Sequence, residues 1–292
     1  MPDGRFAPSP TGRLHLGNLR TALLAWLFAR SSGSRFLVRS EDLDPIPERD
    51  ALEAQQLADL DALGLEWDGD VVRQSERRGR HDAAIDRLVA AGLTYPCWCT
   101  RREILEAPSA PHAPPGAYPG TCRQRTGPPR GVERPPALRL RAGDVAVTVH
   151  DRLHGRFEGI VDDFVLRRGD GTPAYNLAVV VDDADQGIGE VVRGDDLLAS
   201  TPRQVFVAGL LGIEPPGYAH VPLVLGPDGE RLAKRHGAVT LADAGSPADV
   251  LSLLAGSLDL ARPGEAVTPA VLLDRFDPDR LPRQPWVFSP RG

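Results

Sequence analysis

From Leu16 to Arg30, apolar side chains recur at Leu19, Leu23, Trp26 and Leu27. That three-and-four spacing predicts a helix with one apolar stripe. A second stripe, Leu52, Leu57, Leu60 and Leu63, runs through Asp50–Leu63 and stops at Gly64, and His81–Ala91 repeats the form before Gly92. Short apolar runs lie between them: Arg5–Ala7 and Arg35–Ser40 read as strands. Strand and helix in alternation imply a parallel sheet. From Pro108 to Pro136 the period is lost to Pro, Gly, Arg and Ala, which reads as irregular structure or a tethered loop. Asp144–His150 alternates with period two and predicts a strand. Asp162–Arg168 and Leu177–Asp183 are apolar enough for buried strands or a short buried helix. Ser200–Gly212 and Ser246–Gly256 each begin with a Ser or Thr before Pro and end at Gly, the grammar of a helix. No internal repeat interrupts this order. The pattern describes a split α/β domain with an insertion in its middle and a short helical C-terminal piece.

Composition narrows the class. The chain has 292 residues, 41% hydrophobic and 25% charged, which suits one large domain or two to three small ones. No apolar run approaches the roughly 18 residues of a membrane span. "MPDGRFAPSPTG" lacks the basic-then-apolar form of a signal peptide, so a soluble cytoplasmic protein is expected. A net charge of −6 argues against bulk nucleic-acid binding but leaves room for a local basic face. Cys97 and Cys99 are one residue apart and Cys122 follows. In a reducing compartment such a cluster points to a metal more than to a disulfide.

Two stretches carry candidate chemistry. In "FAPSPTGRLHLGN", Pro8 and Pro10 stiffen a loop after a strand, and Gly12 and Gly17 let backbone approach a ligand. The helix that begins near Leu16 turns its free N–H groups toward this loop, an anion site with His15 at its mouth. Taken alone, the stretch reads better as a Pro/Gly-rich turn with a capping histidine. In "VPLVLGPDGERLAKRHG", a strand and tight turn lead to a flexible basic loop with Arg231, Lys234 and Arg235 within five positions. Of 34 lysines and arginines, only Lys234 is lysine. Its compact charge reaches where an arginine fork does not fit. A cationic loop facing a helix-end anion site suits ATP activation, since it can clamp phosphates as charge builds on them.

These residues resemble a known family. His15-Leu16-Gly17-Asn18 is similar to the HIGH signature of class I aminoacyl-tRNA synthetases, and Arg231-Leu232-Ala233-Lys234-Arg235 to their KMSKS loop. "RFAPSPTG", "VRSEDLDP", "PAYNLAVVVDD", "VVRGDDLLASTPRQ" and "KRHGA" narrow the resemblance to the glutamyl group, in order from Arg5 to Ala238. Only Val239–Gly292 follows, which resembles the short paralogues that lack an anticodon-binding domain, the glutamyl-Q tRNA(Asp) synthetases.

The resemblance implies an α/β, Rossmann-type catalytic domain split over residues 1–94 and 186–240, a zinc-containing insertion at 95–185 and a helical region at 241–292. It implies activation of L-glutamate with ATP and Mg²⁺ as the adenylate, and transfer to queuosine in the anticodon of tRNA(Asp), by a monomer. Glutamate contacts fall on Arg5, Ala7, Ser9, Glu41, Tyr175 and Arg193. ATP contacts fall on His15, Gly17, Asn18, Arg231, Lys234 and Arg235, with His15 and Lys234 catalytic. Arg231 stands where the family often has lysine. One structural Zn²⁺ falls to Cys97, Cys99, Tyr118 and Cys122. Metal chemistry alone would favour His112 as the fourth ligand. Arg123, Arg125, Arg130 and Arg134 read equally as phosphate contacts or a solvated face. Three other readings stay open: charging of the tRNA(Glu) 3′ end, a non-tRNA acceptor, and a catalytically silent zinc and RNA-binding module.

Overall fold

A strand buried at every position must be central to its sheet, and β1 (Asp3–Phe6) and β2 (Phe36–Ser40) are so buried. The computed structural model describes residues 3–106, 117–232 and 239–289. In it, β1 pairs in parallel with β2 on one side and with a much later strand on the other. The N-terminal part continues with β3 (Val72–Arg73), and the helices are α1 (Leu16–Ser31), α2 (Arg49–Ala62) and α3 (Arg78–Ala90). The middle contains β4 (Thr94–Cys97), α4 (Arg101–Glu106), β5 (Ala137–Leu140), β6 (Val145–Asp151), β7 (Gly155–Val161) and β8 (Val165–Arg167). Then come α5 (Tyr175–Asp185), β9 (Ile188–Gly194), α6 (Thr201–Leu210), β10 (Gly217–Val221) and β11 (Val224–Leu225). The chain closes with α7 (Leu241–Ala244), α8 (Pro247–Gly256), α9 (Pro269–Arg275) and β12 (Trp286–Val287).

The main sheet has seven strands in the order β3-β2-β1-β9-β10-β6-β7. All its neighbours are parallel except β7, which returns antiparallel along β6. The chain leaves β1 toward β2 and comes back on the other side as β9. The crevice above the C-terminal ends of β1 and β9 is therefore a topological switch point, where open α/β sheets bind ligands.

Segment 95–185 divides between two sheets. Strands β4, β5 and β8 form their own antiparallel sheet, while the β6–β7 hairpin is hydrogen-bonded onto the main one, with Asp151 opposite Tyr218. The apolar run Leu177–Asp183, ambiguous by pattern, is helical: every one of its residues is buried within α5. A helix covered on all sides loses the polar stripe that would have marked it.

Helix α1 is covered in the same way. Its buried positions run without a gap from Ala22 to Ala29, well beyond the expected stripe, because it shares one core with sheet residues and with Val250, Leu251 and Leu254 of α8. Arg20 is buried there, donating to Pro222 O (2.7 Å) and Ser257 Oγ (3.1 Å). The C-terminal region is also more than helical: β12 pairs in parallel with β11. Among the described residues, no helix is long and apolar enough to cross a membrane.

Candidate active site

The loop after β1 is rigid for reasons its prolines only begin to explain. Gln56 of α2 donates its amide to Ser9 O (3.1 Å) and Gly12 O (2.7 Å), and Glu41 N donates to Pro8 O (2.9 Å). The loop thereby roofs a cavity of about 550 Å³ at the switch point. Arg5, Ala7, Ser9, Glu41, Tyr175 and Arg193 line it, as do His15, Gly17, Asn18 and Arg231. Lys234, Arg235 and the alternative zinc ligand His112 lie outside the described residues.

At one end stands the start of α1. His15 caps the helix: its Nδ1 accepts from Asn18 N (3.3 Å), and Asn18 Oδ1 accepts from His15 N (3.2 Å). With Nδ1 accepting, the ring proton resides on Nε2. Burial, and then the charge of Arg231, lower the His15 pKa, so the ring is a neutral donor at pH 7. Gly17 serves the protein rather than a ligand, because a Cβ there would stand 2.9 Å from His15 Cε1 and 3.0 Å from Nδ1. Gly12, the other expected point of close approach, has open space around it. The chain on both sides of 233–238 is anchored at this end: Leu232 N donates to Val224 O (3.1 Å), and Val239 O accepts from Leu16 N (2.7 Å). Arg231 pairs with Asp196 (2.8 Å), which also lines the cavity.

The same cavity is lined by two arginines in contrasting states. Arg5 forks onto Asp183, with Nε 3.1 Å from Oδ1 and Nη2 3.4 Å from Oδ2, so two of its three nitrogens are already engaged. Asp183 also pairs with Arg39 (2.7 Å), which is fully buried and reaches Glu41 Oε1 at 3.4 Å. Burial opposes the charge on Asp183, but Arg39 and Arg5 outweigh it and hold the carboxyl below its usual range. For Glu41 burial wins, and its pKa is raised despite the same two arginines.

Arg193 differs from Arg5. It is buried, and its guanidinium meets only neutral acceptors: His220 Nε2 (3.0 Å), Tyr175 Oη (3.4 Å), Thr201 Oγ1 (2.8 Å) and Gln204 Oε1 (2.8 Å). Among the described residues no carboxylate pairs with it. A buried cation without a counter-ion is suited to receive an anion, whose charge would offset the remaining cost of desolvation.

The cysteines form a second cluster in the small sheet. Cys97, Cys99 and Cys122 Sγ atoms lie within 4.8 Å of one another, and Cys99 and Cys122 are 3.6 Å apart. Tyr118 Oη lies 3.3 Å from Cys97 Sγ and 3.6 Å from Cys99 Sγ, and accepts from Cys122 N (2.8 Å). A tetrahedron with metal–sulfur bonds of about 2.3 Å has edges of roughly 3.8 Å, so four donors at these separations fit one tetrahedral metal. Two of the four arginines weighed as RNA contacts are engaged locally: Arg123 forks onto Asp163 (2.7 and 2.6 Å), and Arg134 donates to Trp98 O. Arg125 and Arg130 are exposed.

Sequence reasoning singled out the lining residues but missed their supports: Arg39, Gln56, Asp151, Asp183 and His220. Arg39 and Asp183 sit inside blocks that drew attention as wholes. Nothing local in the sequence marks the others, whose partners lie far away along the chain.

Comparison with known proteins gives the chain's family. Residues 3–250 match the family model described as tRNA synthetases class I (E and Q), catalytic domain. A glutamyl-Q tRNA(Asp) synthetase of Nocardia farcinica is 63% identical, with 99% of this chain and 94% of that one aligned. That of Symbiobacterium thermophilum is 48% identical, over 97% and 94%. Among solved structures, a glutamate tRNA ligase from Elizabethkingia meningosepticum in complex with its amino acid superposes with a TM-score of 0.81 at 27% identity, covering 98% of this chain and 66% of that one. The chain thus spans about two thirds of that ligase. It belongs to the class I tRNA synthetases of the glutamyl and glutaminyl type and, within them, to the glutamyl-Q tRNA(Asp) synthetases.

Proposed function

We propose that the protein joins L-glutamate to ATP as glutamyl-adenylate and passes the glutamyl group to queuosine in the anticodon of tRNA(Asp). The observation that carries the first half is the cavity itself: one lining shares an uncompensated buried guanidinium, Arg193, and a capped helix N-terminus with a neutral imidazole donor, His15. Arg193 receives one carboxylate of glutamate, with Tyr175 beside it and Arg5 offering its remaining nitrogen. Glu41, its pKa raised by burial, gains a charge partner when the substrate ammonium enters. Ala7 and Ser9 supply loop backbone and a hydroxyl.

A carboxylate oxygen of glutamate attacks the α-phosphorus, and pyrophosphate leaves with the electrons of the broken P–O bond. His15 Nε2–H donates to oxygens at the α-phosphate, and Gly17 and Asn18 open the helix that faces them. Lys234, with Arg231 and Arg235, offsets charge on the departing pyrophosphate. The acceptor then displaces AMP from the acyl carbon. The queuosine acceptor draws its support from the names and coverage of the relatives.

Cys97, Cys99, Cys122 and Tyr118 would hold one Zn²⁺, whose part is structural: it would tie the end of β4 to the segment that carries Tyr118 and Cys122.

The test is glutamate-dependent ATP–pyrophosphate exchange, followed by transfer of labelled glutamate to tRNA(Asp) with and without queuosine. Label on the anticodon nucleoside only when queuosine is present is the expected result. Label at the 3′ end of tRNA(Glu) would move the acceptor assignment, and exchange independent of glutamate would remove the adenylate reading. Lys234→Arg, which keeps charge and changes shape, should lose most exchange; near-normal activity would deny lysine its special place.

A further inference from the structure

We propose that Asp151 and His220 are positioning residues for glutamate, holding Arg193 in its receptor orientation without neutralising it. The inference rests on the assignment of Arg193 to the substrate carboxylate.

Asp151 lies at the end of β6 and His220 in β10; both are buried, His220 completely. Asp151 is committed on both oxygens. Oδ1 accepts from Leu153 N and His154 N (2.9 Å each), and Oδ2 accepts from His220 N (3.0 Å) and contacts His220 Nδ1 (2.6 Å). A carboxylate held this way can only accept, so Nδ1 carries the ring proton. Nε2 is then a lone-pair acceptor, which the Nε–H of Arg193 requires of its 3.0 Å neighbour. Each partner dictates the same tautomer. Burial, with the nearby Arg193 cation also acting, lowers the His220 pKa and keeps the ring neutral. Tyr218 fixes the remaining freedom: its ring stacks on His220 at 5.9 Å, and the Arg193 guanidinium lies 5.5 Å from the Tyr218 ring centre.

Arg5, in the same cavity, shows the alternative. There a carboxylate contacts the guanidinium directly and occupies its fork. Interposing an imidazole gives Arg193 the orientation that a carboxylate would give, and leaves the positive charge for the ligand.

The prediction separates glutamate from ATP. His220→Leu should raise the KM for glutamate in pyrophosphate exchange by about tenfold or more, since an oriented charged hydrogen bond is lost, with the KM for ATP within roughly twofold of wild type. Asp151→Asn should do the same, because one end of the amide cannot accept. His220→Gln, whose side-chain oxygen can take the Arg193 proton, should stay within roughly threefold of wild type. An unchanged glutamate KM in His220→Leu, or equal rises for glutamate and ATP, would overturn the proposal. Nitrogen NMR of the unliganded wild-type protein at pH 7 needs no variant to fold: it should show His220 protonated at Nδ1 alone. Protonation at Nε2 would equally overturn it. Because that measurement uses no substrate, it separates failure of this inference from failure of the glutamate reading, which the wild-type exchange assay decides.

Discussion

Gly17 lacks a side chain because the imidazole of His15 occupies the space. Adding one methyl places carbon 2.9 Å from the ring, and the backbone of a helix's first turn has little room to yield. Gly17→Ala should therefore turn His15 out of its cap, and the exchange rate should fall on the order of 10²-fold while the protein stays folded. Full activity would mean that His15 orientation is unimportant. This residue also shows what the sequence made legible. Glycine after the histidine was readable as a need for space, but the occupant was not, because its identity depends on how the ring folds back over the helix start. The family resemblance pointed to Arg193 as a carboxylate partner, the role proposed for it above. Its lack of a counter-ion was not legible, since that rests on four neutral acceptors brought from α5, β10, the start of α6 and α6 itself.

Among the elements, α1 does two tasks: its first turn faces the cavity and its body forms the core. Leu23 is fully buried between the sheet and the C-terminal helices. Leu23→Ala should cost about 2–5 kcal/mol in chemical denaturation, with little effect on KM in whatever stays folded. A cost below about 1 kcal/mol would mean that this core repacks freely. The small sheet β4-β5-β8 depends on different forces. Leu140 and Leu166 tie it into the core shared with α3, α5 and α6, while its second buried cluster is Tyr95, Cys97, Trp98, Tyr118 and Cys122, three of which belong to the donor set proposed for zinc, together with the half-buried Cys99. Tyr118→Phe should lower zinc affinity at least about tenfold in a chelator competition, and chelation should lower the thermal midpoint. Unaltered affinity would remove the phenol from the ligand set. Element type was legible wherever one face met water. It was lost in α5, whose short, wholly buried apolar run allowed strand and helix alike.

For the whole molecule, buried charge sets a direction for pH dependence. Asp151, Asp182 and Asp183 are held below their ordinary value of 3.8, in each case by partners that outweigh burial. Each contributes stability that is present above that value and is lost as pH falls through it toward the folded-state pKa. His15 and His220 are shifted below 6.5 by burial, so the unfolded chain takes up protons first and stability also declines as pH falls below 6.5. Denaturation midpoints should thus fall modestly from pH 7 to 5.5 and steeply below about pH 4. Stability that rose on acidification from pH 7 to 5.5 would contradict the neutral, buried state of these rings. The parallel sheet and its split connectivity were legible from strand–helix alternation. The joining of β6 and β7 to the main sheet was not, because a period-two strand does not say which sheet receives it.

The pairing of β12 with β11 has a consequence in time. Leu223 and Val224 form part of the cavity wall, and Trp286 N and Phe288 N bond to Leu223 O (3.0 Å) and Leu225 O (2.8 Å). That wall is finished by residues made long after the loop it faces. Until β12 has been made, the strand leading to Arg231 keeps the edge that β12 later covers open. The cavity wall at Leu223 and Val224 is therefore complete only once β12 has docked on β11.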